Sequence, residues 1–588
     1  MTTNTTNLIR EVKRMADFHP GLILIVTGLL ALILPEQIRK WAAAAGPFVA
    51  LAVMIGLDGD ASLTYRFTQS ITMDLLHVDT LAWAFGMIFC VIACIAGIYS
   101  FDAKDGREKC ASLIYAGSSI AVVFAGDWIS LICFWEVMAV SSTYLVWAGR
   151  THRARRASYR YLAMHFFGGN MLLGGAIAIC VQNGWQIEML TGGSGWAYWF
   201  VFIGLAVNGA IPPLHTWAPD AYPEATSAGT VYMGSFTTKV AIYALIRLFA
   251  GTEWLVFAGA VMAVFAACMA LMENDIKRLL SYHIVSQLGM MVAALGTGSA
   301  AGIDGATLHA IFNILYKGVL LMGAGAIVYA TGTRKISELG GLYKRMPLVT
   351  ACFFIASLSI AGVPFFSGFA SKALITEALH EGHFTIAYWL VTLAGVGTWL
   401  SITLKINYFV FFRKTKAEMA VKPVPVYMKA AMVMGTLLCI VTGLFPSYCY
   451  ELMPNATMAH PFSAEHIVEY VALFIGATIP FARYIKKMEP HDVITLDFDW
   501  IYRITLVEFL SGLSKWVYRI FSRFEHTYYN FERIIKTILR NPSKVFSGLE
   551  LDEANAEEYF EEQRPVGEFM QTFIVFCVIA FLVLLIIE

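Results

Sequence analysis

Four ionisable side chains stand where a membrane would leave them without water. Glu136 lies inside the apolar run WISLICFWEVMAVSSTYLVW, Lys239 inside VYMGSFTTKVAIYALI, Lys317 inside LHAIFNILYKGVL and Lys372 inside SGFASKALITEAL. A charge at such depth costs about 2.5–3.5 kcal/mol on insertion scales. Several of them in one chain argue for use, and the usual use in a bilayer is the movement of protons or ions. His309, Asn313 and Lys317 recur at every fourth residue, so one face of one helix presents all three. Titratable groups in file, with water between them, make a proton relay, because burial makes an ammonium costly enough to release its proton and take it back.

Proline interrupts two of the apolar runs, at Pro212–Pro213 in NGAIPPLHTWAPDAYPEA and at Pro364 in AGVPFFSGFASKALITEAL. Proline frees backbone carbonyls, which a membrane tolerates only where protein or cavity water satisfies them. Breaks at matching places in two halves point to a transport site between inverted repeats. Polar residues collect beside both: Asn208, His215 and Asp220 at the first, Ser367, Ser371 and Lys372 at the second. Asp220 reads foremost as a cap of the turn after Trp217 and secondly as a channel-lining group, while His215 is left undecided. His165 and His309 read equally as relay members and as hydrogen-bonded bundle histidines. In ENDIKRLLSYHIVSQLG, the residues Asp275, Lys277, Arg278 and His283 read equally as a solvated anchoring end and as a point of proton access.

The elements that must hold these groups follow from composition. The chain has 588 residues, of which 58% are hydrophobic and 14% charged, with a mean hydropathy of +0.64. Runs long enough to span hydrocarbon, about 20 residues each, give about sixteen helices. They are expected near 20–36, 39–56, 79–100, 110–125, 127–148, 159–182, 195–212, 228–250, 254–272, 277–297, 303–330, 347–375, 385–412, 427–446, 465–484 and 568–587. The net charge of zero leaves no basic field for nucleic acid. The ten cysteines form no CxxC pair or metal-ligand spacing, Cys90 and Cys94 read as packing, and no GxGxxG opens a helix after a strand. We therefore expect no metal and no cofactor on this chain. The polar start MTTNTTNLIREVKRMADFHP, with no small-residue cleavage site after the first run, does not read as a cleavable signal.

Loop charges set an expected orientation. Basic residues crowd the loops after the odd-numbered spans, as in Arg150/Arg153/Arg155/Arg156 and Arg413/Lys414/Lys416. The loops at 183–194, 298–302, 376–384 and 447–464 contain no Lys or Arg. The basic loops are thus expected in the cytoplasm and both termini outside, in a multi-pass protein of the cell membrane. The expected segmentation is N-terminal spans (1–125), two half-channel repeats (126–250 and 251–415), C-terminal spans (416–490), an amphipathic lateral helix (491–548), and an acidic linker with a last span (549–588). The lateral helix, WIYRITLVEFLSGLSKWVYRIFSRFEHTYYNFERIIKTILR from Trp500, mixes apolar and basic residues at helical spacing. It reads equally as a peripheral membrane anchor and as a strap across neighbouring helices.

The stretches FWEVMAVSSTYL, PPLHTWAPDAYPEATSAGTVYMGSFTTKVAIYALIR, ENDIKRLLSYHIVSQLG, HAIFNILYKGVL and SLSIAGVPFFSGFASK, in this order across residues 79–415, resemble the antiporter-like subunits shared by Mrp cation/proton antiporters, respiratory complex I and membrane-bound hydrogenases. The segment around Lys239 is most similar to the Mrp component known as MrpD, and the lateral helix with its final span to the distal complex I subunit and its Mrp relatives. The resemblance implies an all-α membrane fold with a core of about fourteen helices and two inverted five-helix repeats, and a proton path at mid-membrane. It implies proton translocation by Glu136, Lys239, Lys317, Lys372 and His309, with Asn208, His215, Asn313, Asp220 and His165 as further channel-lining candidates. Two departures stand out: Asn208 occupies the place of a seventh-helix lysine that pairs with the glutamate, and Asn313 that of a second eleventh-helix histidine. The expected function is that of one component in a multisubunit cation/proton antiporter, with fellow subunits, lipid, protons and Na+ as partners. A proton-pumping membrane arm of a complex I-like NADH:quinone oxidoreductase or a hydrogenase is the alternative. A non-translocating scaffold, or the membrane half of an inorganic-carbon uptake complex, is a third. Any redox centre would lie in other subunits.

Overall fold

The computed structural model describes residues 18–540 apart from 60, 69–70, 191, 415–419, 460 and 493–496. The expected acidic linker and last span, 549–588, lie outside the described residues. The chain divides into two compact units, Met1–Asp499 and Trp500–Glu588.

The first unit is helical almost throughout. It opens with α1 (Pro20–Ile33) and α2 (Glu36–Ile55), then a short antiparallel hairpin, β1 (Ser62–Arg66) with β2 (Thr72–His77), which the apolar runs did not announce. There follow α3 (Thr80–Tyr99), α4 (Gly106–Phe124), α5 (Trp128–Trp147), α6 (His152–Asn183) and α7 (Trp196–Asn208). Next come the short α8 (Trp217–Ala221), α9 (Ser227–Ser235), α10 (Thr237–Phe249), α11 (Trp254–Met272), α12 (Ile276–Gly296) and α13 (Ala300–Thr331). The rest are α14 (Pro347–Ala361), α15 (Ser367–Glu381), α16 (Thr385–Thr398) continued by a π-helical stretch Trp399–Phe412, α17 (Val426–Leu444), α18 (Pro446–Glu451) and α19 (Ala464–Tyr484). Ten described helices are long and apolar enough to cross a membrane, and the protein is a multi-pass membrane protein.

At the centre lie α12 and α13, whose most apolar windows are 100% and 89% buried. Small residues let the helices close on one another. A Cβ on Gly259 of α11 would lie 2.6 Å from the Gly289 carbonyl of α12, and the converse distance is also 2.6 Å. Backbones that approach this closely hold membrane helices together where lipid offers no competing hydrophobic drive.

Three spans are broken. The seventh ends at Asn208 and resumes at Trp217 after a turn in which Ala210 takes a φ of +50°. The twelfth, expected as one run over 347–375, stops at Ala361 and restarts at Ser367. Gly362 there has a φ of +83° and Phe365 one of +73°, a left-handed conformation that Phe adopts only at some strain. The eighth, expected as one run over 228–250, breaks at Phe236 without a proline. The amide this break frees is met from far away in sequence: Thr237 N–H donates to the Tyr115 hydroxyl at 2.9 Å, and that hydroxyl shares a second bond of 2.7 Å with Thr237 Oγ1.

In the second unit, a π-helical turn (Ile501–Leu506) leads into α20 (Val507–Arg540). Its 34 residues make a helix of about 50 Å. Leu510, Leu513, Phe521 and Phe524 are exposed along it, in the amphipathic pattern expected of this segment.

Tyr115→Phe should leave the Thr237 amide buried without its acceptor, lowering the stability of the purified protein by about 1–3 kcal/mol in a detergent melt. An unchanged melting temperature would show that the eighth-helix break does not depend on Tyr115.

Candidate functional site

The broken helices create the site by leaving backbone carbonyls free inside the bundle, where no water competes for them. Lysines take them up. Lys239, fully buried on α10, donates from Nζ to the Gly234 carbonyl near the end of α9 at 2.8 Å. Lys372, on α15, donates to the Ile360 and Ala361 carbonyls at the end of α14, each at 2.9 Å. Its side chain passes Gly362, where a Cβ would lie 2.9 Å from Lys372 Cδ. The glycine therefore serves both the left-handed turn and the lysine's passage. A third lysine, Lys405, was not singled out from the sequence although it sits inside the apolar run WLSITLKINYFVFF. It donates to the Leu271 and Glu273 carbonyls at the end of α11, at 2.6 and 2.8 Å. In each case a cation meets the negative end of a helix dipole.

Lys317 is different. It is fully buried on α13 and its Nζ makes no hydrogen bond within the described residues. Among those residues no carboxylate pairs with Lys239, Lys317, Lys372 or Lys405 in a salt bridge. Lys239 lies within electrostatic reach of Lys317, and His309 of both Lys239 and Lys372. His283 lies within reach of Lys317, Lys372 and Lys405. The lysines and histidines thus form one electrostatically connected row.

Hydroxyls and amides knit the row together. His309 Nδ1 lies 2.8 Å from Ser371 Oγ, next to Lys372 in sequence, and its Nε2 lies 3.1 Å from Gln287 Oε1. Gln287 reaches Thr398 at 3.4 Å, and His283 Nε2 lies 2.5 Å from Ser401 Oγ. Asn313 donates to the Tyr316 hydroxyl at 3.2 Å, which lies 3.4 Å from His309 Nε2. The every-fourth-residue face of α13 is therefore real, but Gln287, Thr398 and Tyr316, which complete it, were not picked out. A lone uncharged polar residue in an apolar run carries too little signal.

Glu136 does not lie deep in the bundle. It is half-buried on α5, its Oε1 lying where a Cβ on Gly169 of α6 would be 1.9 Å away. It faces a groove lined with Leu32, Cys110, Val137, Val140 and Tyr144. One turn before Gly169 on the same helix stands His165, fully buried between Tyr161 (ring centroids 4.1 Å) and Trp217 (4.6 Å). Beside it stands Asn208, also fully buried, and neither residue forms a well-made hydrogen bond with its polar side-chain atoms. Between Glu136 and Lys239 the first half of the row thus offers neutral groups in place of a lysine.

Other candidates find structural partners. Asp220 does not cap the turn after Trp217, which has no side-chain cap; it accepts two bonds from Arg160 of α6, at 2.7 and 2.8 Å. Asp275 caps α12 through the Lys277 and Arg278 amides and pairs with Arg334 at 2.6 Å. Lys277 donates to the Ala225 carbonyl (3.0 Å) and Thr230 Oγ1 (3.2 Å). These residues form a joint between helices, whereas His283 belongs to the buried row. His215, fully buried after the seventh-helix break, lies 3.2 Å from Asp497.

Known proteins share this arrangement. The probable A/B component of a K(+)/H(+) antiporter of Rhizobium meliloti is 29% identical over 460 residues, 71% of this chain and 46% of that protein. The A1 component of a Na(+)/H(+) antiporter of Staphylococcus aureus is 30% identical over 420 residues, 63% of this chain and 52% of that protein. The chain spans about half the length of these two relatives. Neither relative singles out MrpD. In a structure of the Mrp complex from Dietzia sp., one polypeptide superimposes with a TM-score of 0.69 at 19% identity, covering 81% of this chain and 99% of that one. This shows a common fold. Residues 125–401, which carry the three broken spans and the lysines at positions 239, 317 and 372, match the family described as NADH:quinone oxidoreductase/Mrp antiporter, transmembrane, and the chain belongs to that family.

Proposed function

We propose that the chain is an ion-translocating component of a multisubunit cation/proton antiporter of the Mrp type, passing protons along Glu136, Lys239, Lys317, His309 and Lys372. The observation that carries this reading is the set of buried lysines held by carbonyls alone or by nothing. An ammonium has three N–H donors and a neutral amine two. Lys372 can therefore keep both of its carbonyl bonds, and Lys239 its one, whether or not the proton is present. A salt bridge would instead lock the charge in place. Because neighbouring sites in the row repel when both are charged, protonating one biases the next, which is how charge moves stepwise along it.

His309 supports the reading by joining the Lys372 end of the row to Gln287. In the first half, His165 and Asn208 stand where the family resemblance implies a lysine, so transfer between Glu136 and Lys239 would run through neutral groups and water. The names of the relatives support K+ or Na+ as the exchanged cation. Fellow subunits supply the remaining machinery in this reading. Each elementary charge moved against 100 mV needs about 2.3 kcal/mol, which the opposing ion gradient provides. One observation favours a scaffold instead: Asn208 leaves Glu136 without a cationic partner among the described residues.

In inverted vesicles carrying the whole native complex, Lys239→Ala and Lys372→Ala should each reduce cation-driven proton movement at least about tenfold, equivalent to about 1.4 kcal/mol. Lys239→Arg should fail as well, because a guanidinium holds its proton throughout. Rates within twofold of wild type, with assembly intact, would leave the scaffold. Glu136→Gln should slow transport about threefold, less than either lysine variant, because Glu136 lies at the flank of the bundle; loss equal to Lys239→Ala would place it in the obligatory path.

A further inference from the structure

Outside the row, one fully buried titratable group has an unexpected partner. His215 follows the break of the seventh span and has no side-chain exposure. Its Nε2 lies 3.2 Å from Oδ1 of Asp497, whose own side chain is only 4% exposed. Asp497 comes from the segment that follows α19, three residues before the second unit begins at Trp500, and nothing in its local sequence announces a buried site. The Tyr282 hydroxyl of α12 donates to Asp497 Oδ2 at 2.6 Å. Phe498, beside the aspartate, packs with Phe265 of α11 (5.4 Å between ring centroids) and stands 6.0 Å from the His215 ring. Two aromatic rings thus flank the histidine.

The cluster leads outward through charged groups. Arg278 Nη2 donates to the Tyr282 hydroxyl at 3.5 Å, and Arg278 Nε lies 3.2 Å from Glu273 Oε1. The Arg278 side chain is 39% exposed. From the surface inward the order is therefore Glu273, Arg278, Tyr282, Asp497 and His215, all on the face of the basic loops. The titratable and charged groups that face Asp497 are His215 after the seventh-span break and Tyr282 with Arg278 from α12. Burial works against the Asp497 carboxylate, but His215 and the Tyr282 hydroxyl prevail and hold it below the usual carboxylate range. It is a built site, with a carboxylate placed against a histidine that would otherwise be alone in the break.

We propose that Asp497 is the carboxylate through which protons reach the first broken helix, receiving a proton from water at the basic-loop face and passing it to His215 Nε2. The proton leaves the aqueous donor, resides between Asp497 Oδ1 and His215, and ends as the imidazolium; no other group changes state. Phe498 and Phe265 shield the pair. Tyr282 acts as a positioning residue, since its hydroxyl fixes the carboxylate. The inference rests on the translocating function proposed above and names a point of access that the buried row itself does not contain.

The test uses the whole native complex in inverted vesicles, with cation-driven proton movement followed between pH 6 and 9 and normalised to assembled complex. Asp497→Asn should lower the rate at least about tenfold and alter its pH profile, and Asp497→Glu should restore most of the rate. His215→Gln should do the same damage, and Asp497→Asn with His215→Gln should be no worse than either alone. Wild-type rate and pH profile in Asp497→Asn would overturn the proposal. So would a loss that merely follows reduced assembly with the profile unchanged, which would make the contact a structural latch. Absence of transport in the wild-type complex would instead overturn the functional reading beneath it.

Discussion

The backbone carbonyl stranded inside a membrane is the constraint on which this structure turns. A helix that stops short of the interface leaves its last carbonyls without amide partners, and lipid offers none. Here the stranded carbonyls of α9, α11 and α14 are met by the ammonium groups of Lys239, Lys405 and Lys372. Each break thus holds a lysine, and each lysine makes its break tolerable. A purely structural solution would have kept the helices whole.

The arrangement also explains why the charges are left without counterions. A carboxylate beside each lysine would make the interior more comfortable but would pin the proton. Carbonyl dipoles stabilise the cation less strongly and accept the neutral amine equally well. Lys317, on the unbroken α13, has no such support, and its neighbours in the row are cationic or imidazole groups. It is therefore the member whose charge depends most on the state of the others.

Much of this was legible in the sequence, for identifiable reasons. Hydrocarbon thickness dictates the length of an apolar run, so fifteen of the expected spans reappear, two of them as two helices each and one as a helix that continues in π form. The prolines at 212–213 and 364 marked two breaks because proline acts on its own helix. The third break, at Phe236, was silent because Tyr115, 122 residues away, is what makes it tolerable. Run length also gives depth but not direction, so Glu136 read as deeply buried when it faces the flank. Asp220 read as a cap because its partner Arg160 is distant in sequence, and the hairpin strands Ser62–Arg66 and Thr72–His77 were too short to stand out. Lys405 was visible and passed over because it sits toward the end of its run. Asp497 could not be found at all without the fold, since only the return of the chain after α19 brings it to His215.

Lys317 decides most cleanly whether the buried lysines carry protons. Its Nζ makes no hydrogen bond that alanine would remove, so Lys317→Ala separates function from architecture better than any other change in the row. The measurement is cation-driven proton movement by the native complex in inverted vesicles, paired with the thermal stability of the same preparation. If the lysines carry protons, transport falls at least about tenfold while stability is unchanged or higher. Transport at the wild-type rate in a stably assembled Lys317→Ala complex would contradict proton carriage by the row.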